Sequence, residues 1–282
     1  MQLMHDTILK SKVFLDHIAI ESTNPKKIAE FYSKNLIMKK NYVSNSEWHC
    51  FGTNRLLIFK KGIKNKLSFA AFGCKSEREL NKIRKRVLSE KIKIKEYSSI
   101  YLEKSSFSIY DPDNNKIVFG VPLKRWSKKN KYHAPLQHLT LQSLNVKKII
   151  DFYHKKLGFA ISDRVINKNG VITTCFFRSN KEHHSLACFK AKNVGIDHHS
   201  YEVGKWKLIR DWCDYISKRR LKLFWGPGRH GPGNNLFVFF EDCDGNKIEL
   251  SAELELIKNR KFLDWPHDAR TLNLWGKSYL RV

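Results

Sequence analysis

LDHIAIESTNPKKIAEFYSKNLIM (15–38) and LQHLTLQSLNVKKIIDFYHKKLGF (136–159) are two copies of one pattern, and their likeness decides the fold. Each opens on an alternating apolar strand that carries a histidine, His17 or His138. An asparagine follows where a helix N-cap belongs, Asn24 or Asn145, and then an amphipathic helix closed by a bulky apolar pair. A single 121-residue offset relates His17 to His138 and Phe31 to Phe152. Pro25 suits a first helical turn, where its missing N–H costs nothing, and Gly158 suits a left-handed stop.

A second match closes each half. SIYDPDNNKIVFGV (108–121) and VFFEDCDGNKIELSA (238–252) both read as strand, tight polar turn, strand. Weaker echoes inside each half, LSFAAFGCKSERELNKIRKRV and DHHSYEVGKWKLIRDWCDYI, again give a strand and then a helix. The chain therefore reads as an α+β protein of four β-α-β-β-β units, two per domain, with curved sheets that enclose a cavity in each domain. The expected division is 1–123, a basic linker at 124–134, a second domain at 135–262 and a tail at 263–282.

The remaining composition bounds the function. The 282 residues carry 53 Lys and Arg against 27 Asp and Glu, a net charge of +26. Lysine spread along the chain explains that balance as solvated surface, and no zinc finger, RNA-recognition signature or basic zipper is present to suggest a nucleic-acid partner. The charge would help draw in an anionic substrate. No stretch approaches the ~20 apolar residues of a membrane span. MQLMHDTILKSK lacks the apolar run of a signal peptide, and six scattered cysteines without a C-x-x-C pair read as reduced thiols. A cytoplasmic location follows as the expectation.

The two halves differ where chemistry is concerned. Residues i and i+2 of a strand share a face. Aligning DHIAIE (16–21) with DHHSYE (197–202) selects His198, not His199, as the inward partner of His138. Glu249 in NKIEL comes from the last strand of the same half. Two imidazoles and one carboxylate around one cavity can hold a divalent metal on one face, as in non-haem Fe(II) oxygenases. The first half keeps His17 but has Val118 where Glu249 falls and Ala or Phe near the place of His198, so it reads as a metal-free duplicate. A strand histidine alone is most often a hydrogen-bonded core residue. His17 stays in that class, and the comparison of the halves lifts His138 and His198 out of it.

At this point LQHLTL, FYHKKLGF, EHHSLACF, DHHSYEV and WGPGRHGPGNNLFVFFEDCDGNKIE resemble the type I extradiol ring-cleavage dioxygenases of the vicinal oxygen chelate superfamily. The resemblance implies two tandem vicinal-oxygen-chelate domains and Fe(II), with Mn(II) as the alternative, on His138, His198 and Glu249. It implies an aromatic vicinal diol and O₂ as substrates, and often a homo-oligomer. It makes His184 the acid–base, since an imidazole titrates near neutrality, and His230 a residue that orients substrate or carboxylate. His183 alternates to the other face and is left out. Phe239 stands where the family has a tyrosine, which removes a hydroxyl from the substrate pocket; Cys243 replaces the proline of the turn. Trp225 is a candidate for the cavity mouth. The tail DWPHDARTLNLWG (264–276) is expected to pack back as a strap without chemistry of its own.

The reading that follows is an extradiol dioxygenase. One rival is a different metal-dependent reaction of secondary metabolism on a non-catechol substrate, which Phe239 favours. The other is a non-enzymatic protein that binds a small molecule or nucleic acid. A glyoxalase reading fits poorly, because the first half lacks the glutamate.

Overall fold

A computed structural model describes residues 10–124 and 132–279. The expected linker therefore lies mostly outside the described residues, as do 1–9 and the last three residues of the tail. The first unit is β1 (Val13–Ser22), α1 (Pro25–Asn35), β2 (Lys39–Ser44), β3 (Glu47–Gly52) and β4 (Arg55–Lys61). The second is β5 (Leu67–Cys74), α2 (Glu77–Ser89), β6 (Lys95–Glu96), β7 (Phe107–Tyr110) and β8 (Lys116–Gly120). The third is β9 (Leu136–Ser143), α3 (Val146–Ile150), β10 (Ala160–Ile166), β11 (Ile172–Arg178) and β12 (Leu186–Lys190). The fourth is β13 (Gly195–Gly204), α4 (Trp206–Lys218), β14 (Leu223–Arg229), β15 (Leu236–Glu241) and β16 (Lys247–Ala252). The tail adds β17 (Leu263–Pro266) and the short α5 (Ala269–Leu272). These are the four β-α-β-β-β units that the repeats predict.

Local chemistry sets the helix ends. The Asn24 and Asn145 side chains accept from the backbone N–H groups of Lys27 and Lys148, which satisfies donors no helical carbonyl can reach. The third unit departs from the expected helix. After α3 the chain widens into a π-helical segment, Asp151–Lys156. Phe31 is only partly buried in α1, whereas both Phe152 and Tyr153 are buried in the widened segment. Gly158 then turns left-handed at φ +78°, and a Cβ there would lie 2.8 Å from that of Lys10.

The units pair into two sheets, with orders β2-β3-β4-β1-β5-β8-β7-β6 and β14-β15-β16-β13-β9-β12-β11-β10-β17. In each, the first strands of both units lie antiparallel at the centre, and each has a closing strand parallel beside it. Register makes the halves comparable residue by residue. His17 faces Ala71, which faces Val118; His138 faces Ser200, which faces Glu249. The first-half counterparts of His138, His198 and Glu249 are therefore His17, Phe69 and Val118.

The helices and the outer sheet faces of both halves share one continuous apolar core. On its inner face, the first sheet packs Phe69, Ala71, Leu102 and Val118 against each other. The cavity expected in that half is thus occupied by its own side chains. The second sheet places Phe176, Phe189, Trp225, Phe237 and Phe239 on its inner face.

Two reciprocal hydrogen bonds fasten the halves. Tyr32 of α1 donates to Asp242 Oδ2 in the β15–β16 turn at 3.0 Å, and Tyr153 of the π segment donates to Asp111 Oδ2 in the β7–β8 turn at 3.1 Å. Each aspartate also holds its own turn: Asp111 Oδ1 accepts from Asp113 N and Asn115 N, and Asp242 Oδ1 from Asp244 N and Asn246 N. Burial pushes both carboxyls up, against the pull of these donors. Replacing Tyr32 or Tyr153 by Phe leaves a buried carboxylate one donor short and should cost about 1–3 kcal/mol. Urea unfolding of each variant followed by circular dichroism measures that loss.

Candidate metal centre

Three neighbouring strands of the second sheet deliver the donors: β9 gives His138, β13 gives His198 and β16 gives Glu249. One ligand atom from each lies within 4.8 Å of the others, and all three residues are buried. His138 Nε2 stands 2.9 Å from Glu249 Oε2, and His198 Nε2 stands 3.4 Å from the same oxygen. His199, next in sequence, faces the other way, with Nε2 3.0 Å from the Tyr32 hydroxyl in the core between the halves. Burial, then the neighbouring His198 and His138, pushes His199 down to about 3. The strand alternation thus separates the adjacent histidines as the sequence predicts.

A second layer of contacts orients the donors. Asp197 Oδ1 accepts from His198 Nδ1 at 2.6 Å, which leaves Nε2 as the ligating nitrogen. Thr140, two residues along β9 from His138 and hence on the same face, lies 3.0 Å from His198 Nε2. Asn235 donates to Glu249 Oε1 at 3.1 Å and to the Ser251 hydroxyl. His230 Nδ1 donates to the Leu272 carbonyl at 2.5 Å, and its Nε2 lies 3.6 Å from Glu249 Oε1. None of Thr140, Asp197 or Asn235 was singled out from the sequence. Thr140 was legible by the i, i+2 rule, whereas Asp197 is adjacent to His198 and alternation alone points it away.

Electrostatics suit a cation. Burial opposes the Glu249 charge, but His138, His198 and His230 outweigh it and hold the carboxyl well below its usual range. Among the described residues its ion-pair partners are imidazoles only. Burial lowers His138 against the pull of Glu249, while Asp197 and Glu249 overcome burial and raise His198. A buried carboxylate with two imidazoles fixed on one side of it has the donor chemistry of a divalent metal site with open positions. The residues fit the group.

His184 also lines this cavity, its ring 4.2 Å from that of His138 between centroids. Burial, then His138 and His183, holds it well below the usual histidine value. His183 does not line the cavity, but it stands behind His184, with its Nδ1 2.9 Å from His184 Nδ1.

Phe239 is fully buried, cross-strand from Glu249, with its ring edge-on to His198 at 5.1 Å. Trp225 stacks on Phe239 at 5.0 Å, and its Nε1 donates to the Lys277 carbonyl. Both line the cavity with Phe176, Phe189, Pro232 and Leu272. The tail does more than pack back. It adds β17 beside β10, and Thr271 and Leu272 close the cavity. The remaining space is narrow, about 30 Å³. Among the described residues no helix is long and apolar enough to cross a membrane.

Comparison with known proteins now bears on this geometry. Residues 136–250 match the Glyoxalase/Bleomycin resistance protein/Dioxygenase superfamily. Metapyrocatechase 2 of Cupriavidus necator is 25% identical over 223 residues, 71% of this chain and 68% of the relative. Homoprotocatechuate 2,3-dioxygenase of Arthrobacter globiformis superposes with a TM-score of 0.81 at 18% identity, covering 96% of this chain and 90% of that one. A Mn(II)-bound glyoxalase of Novosphingobium aromaticivorans gives 0.82 at 18% identity, covering 94% and 91%. The match to that superfamily covers the half that carries His138, His198 and Glu249, and both halves share the fold of these solved structures. Two of these similar proteins are ring-cleavage dioxygenases, one by sequence and one by fold.

If His138, His198 and Glu249 hold a divalent metal, Glu249→Gln should abolish stoichiometric binding. Asp197→Asn should weaken it about ten- to hundredfold by releasing the His198 ring. His17→Gln, in the first half, should leave it unchanged. Equilibrium dialysis with metal analysis distinguishes the three outcomes.

Proposed function

We propose that the protein opens the ring of a catechol-type substrate beside its vicinal oxygens, placing both atoms of O₂ in the product. In this reading Fe(II), with Mn(II) as the alternative, is held by His138, His198 and Glu249. The observation that carries it is the convergence of those three buried donors with His184 at one end of an aromatic cavity. A divalent metal there supplies Lewis acidity toward a vicinal diol and a path for electrons from the ring to O₂.

The chain's own groups do the rest. His184 takes a proton from the substrate hydroxyl and can return it later in the reaction. His230, anchored through Nδ1 by the Leu272 carbonyl, keeps its ring fixed against Glu249. Asn235 donates to the same carboxylate oxygen that faces His230 and helps hold it in place. Phe176, Phe189, Trp225 and Leu272 exclude water and grip the apolar edge of the ring. No Lys or Arg lines the cavity among the described residues, in a chain of net charge +26. A carboxylate on the substrate would meet no counter-charge there, so uncharged catechols suit the cavity better than catechol acids.

One observation favours a second reading. The Phe239 ring carries no hydroxyl to hydrogen-bond a substrate oxygen, which suits a metal-dependent reaction on a substrate other than a simple catechol.

Oxygen consumption by protein reconstituted anaerobically with Fe(II) separates the readings. Uptake with a yellow ring-opened product, faster for catechol and alkylcatechols than for carboxylated ones, is the expected result. No uptake despite stoichiometric iron would remove the ring-cleavage reading. Phe239→Tyr, which restores a hydroxyl beside His198, should raise kcat on catechol by up to ~10².

A further inference from the structure

The geometry points to His183 and Asp163 as positioning residues that fix which nitrogen of His184 carries the proton, with the C-terminal tail clamping the relay. Calling His184 a base rests on the dioxygenase reading, but the order of protons along the relay does not.

Asp163, on β10, is fully buried. Its Oδ1 accepts from Arg260 at 2.8 Å and from the Leu263 backbone N–H at 2.9 Å. Its Oδ2 accepts from Trp265 Nε1 at 3.0 Å and lies 3.0 Å from His183 Nε2. A carboxylate surrounded by donors is ionised and has no proton to give. The His183 contact therefore requires that His183 Nε2 be the donor.

A neutral imidazole has one N–H, so His183 Nδ1 is then an acceptor. Opposite it, at 2.9 Å, stands His184 Nδ1, which must donate. With one proton, His184 then carries it on Nδ1 and has a lone pair on Nε2, the arrangement a proton acceptor needs. The alternative, a doubly protonated His183, would reverse the last bond. Arg260, which bridges Asp163 and Glu255, already sets one cation on this carboxylate, and a doubly protonated His183 would put a second beside it on a fully buried ring.

The donors on Asp163 are not local. Arg260 comes from the stretch just before the tail, and Leu263 and Trp265 from the tail itself, all about a hundred residues away in sequence. The same tail contributes Thr271 and Leu272 to the cavity wall. Docking of the tail and the proton order at His184 are thus parts of one hydrogen-bonded assembly, and the tail acts on the reacting site through Asp163.

The test reads the proton directly. Protein labelled with ¹⁵N-histidine, with and without Zn(II) as a diamagnetic metal, is examined by long-range ¹H–¹⁵N correlation, with His184 assigned by its loss in His184→Gln. His184 should be protonated at Nδ1 and His183 at Nε2. His183→Leu removes the acceptor and should move the His184 proton to Nε2. His183→Asn offers a side-chain oxygen near the old Nδ1 and should preserve it. With a turned-over substrate, His183→Leu should lower kcat about ten- to hundredfold at constant KM and metal affinity, and His183→Asn should recover most of it. An Nε2 proton on His184 in the unsubstituted protein overturns the relay, and so does an unchanged His184 spectrum in His183→Leu. The spectrum needs no substrate. An Nδ1 proton in a protein that consumes no O₂ would leave the relay standing and remove only the dioxygenase reading.

Discussion

A carboxylate 1% exposed on the inner face of a sheet is the constraint around which the second half is arranged. Burying the Glu249 charge without compensation would be prohibitive. The sheet meets it by bringing β9 and β13 alongside β16, so that two strand histidines reach one carboxylate oxygen. Asp197, Thr140, Asn235 and His230 then fix the members of that cluster in orientation. Rigid strands carry the donors, while the bend at His183–His184 and the tail carry the groups that move or hold protons.

Duplication makes the arrangement interpretable. The first sheet has the same strand order about its centre but puts Phe69 and Val118 where the second has His198 and Glu249. Its inner face closes on itself as an apolar cluster. That half still buries the Asp16–His17 pair, and it contributes a partner surface to the other. Its Tyr32 reaches into the Asp242 turn, which leads into the strand that bears Glu249. The second half returns the contact through Tyr153 and Asp111. Each half thus secures the other's last hairpin.

Much of the site was legible because its information is local. His138, His198 and Glu249 follow from a period of two along strands and from aligning one half with the other. His199 was assigned away from the cavity by the same rule, and it packs against Tyr32. The rule also kept His183 out of the cavity, but it could not show that its ring stands behind His184. Asp163 was out of reach, since its partners Arg260 and Trp265 lie far along the chain. The π-helical turn at Asp151–Lys156 was invisible for another reason: FYSK and FYHK carry the same apolar pattern in helices of different winding.

The sequence by itself determined the four repeated units, the strand faces and the asymmetry between a half with a glutamate and a half with a valine. Those are properties of short segments, where alternation, caps and turn residues act over a few positions. Tertiary structure alone decided that Asp163 would stand behind His183, that the tail would close the cavity with Thr271 and Leu272, and that each half's tyrosine would fasten the other's turn. Those contacts join residues separated by tens to hundreds of positions, and only the packing of two curved sheets around one shared core brings them within hydrogen-bonding reach.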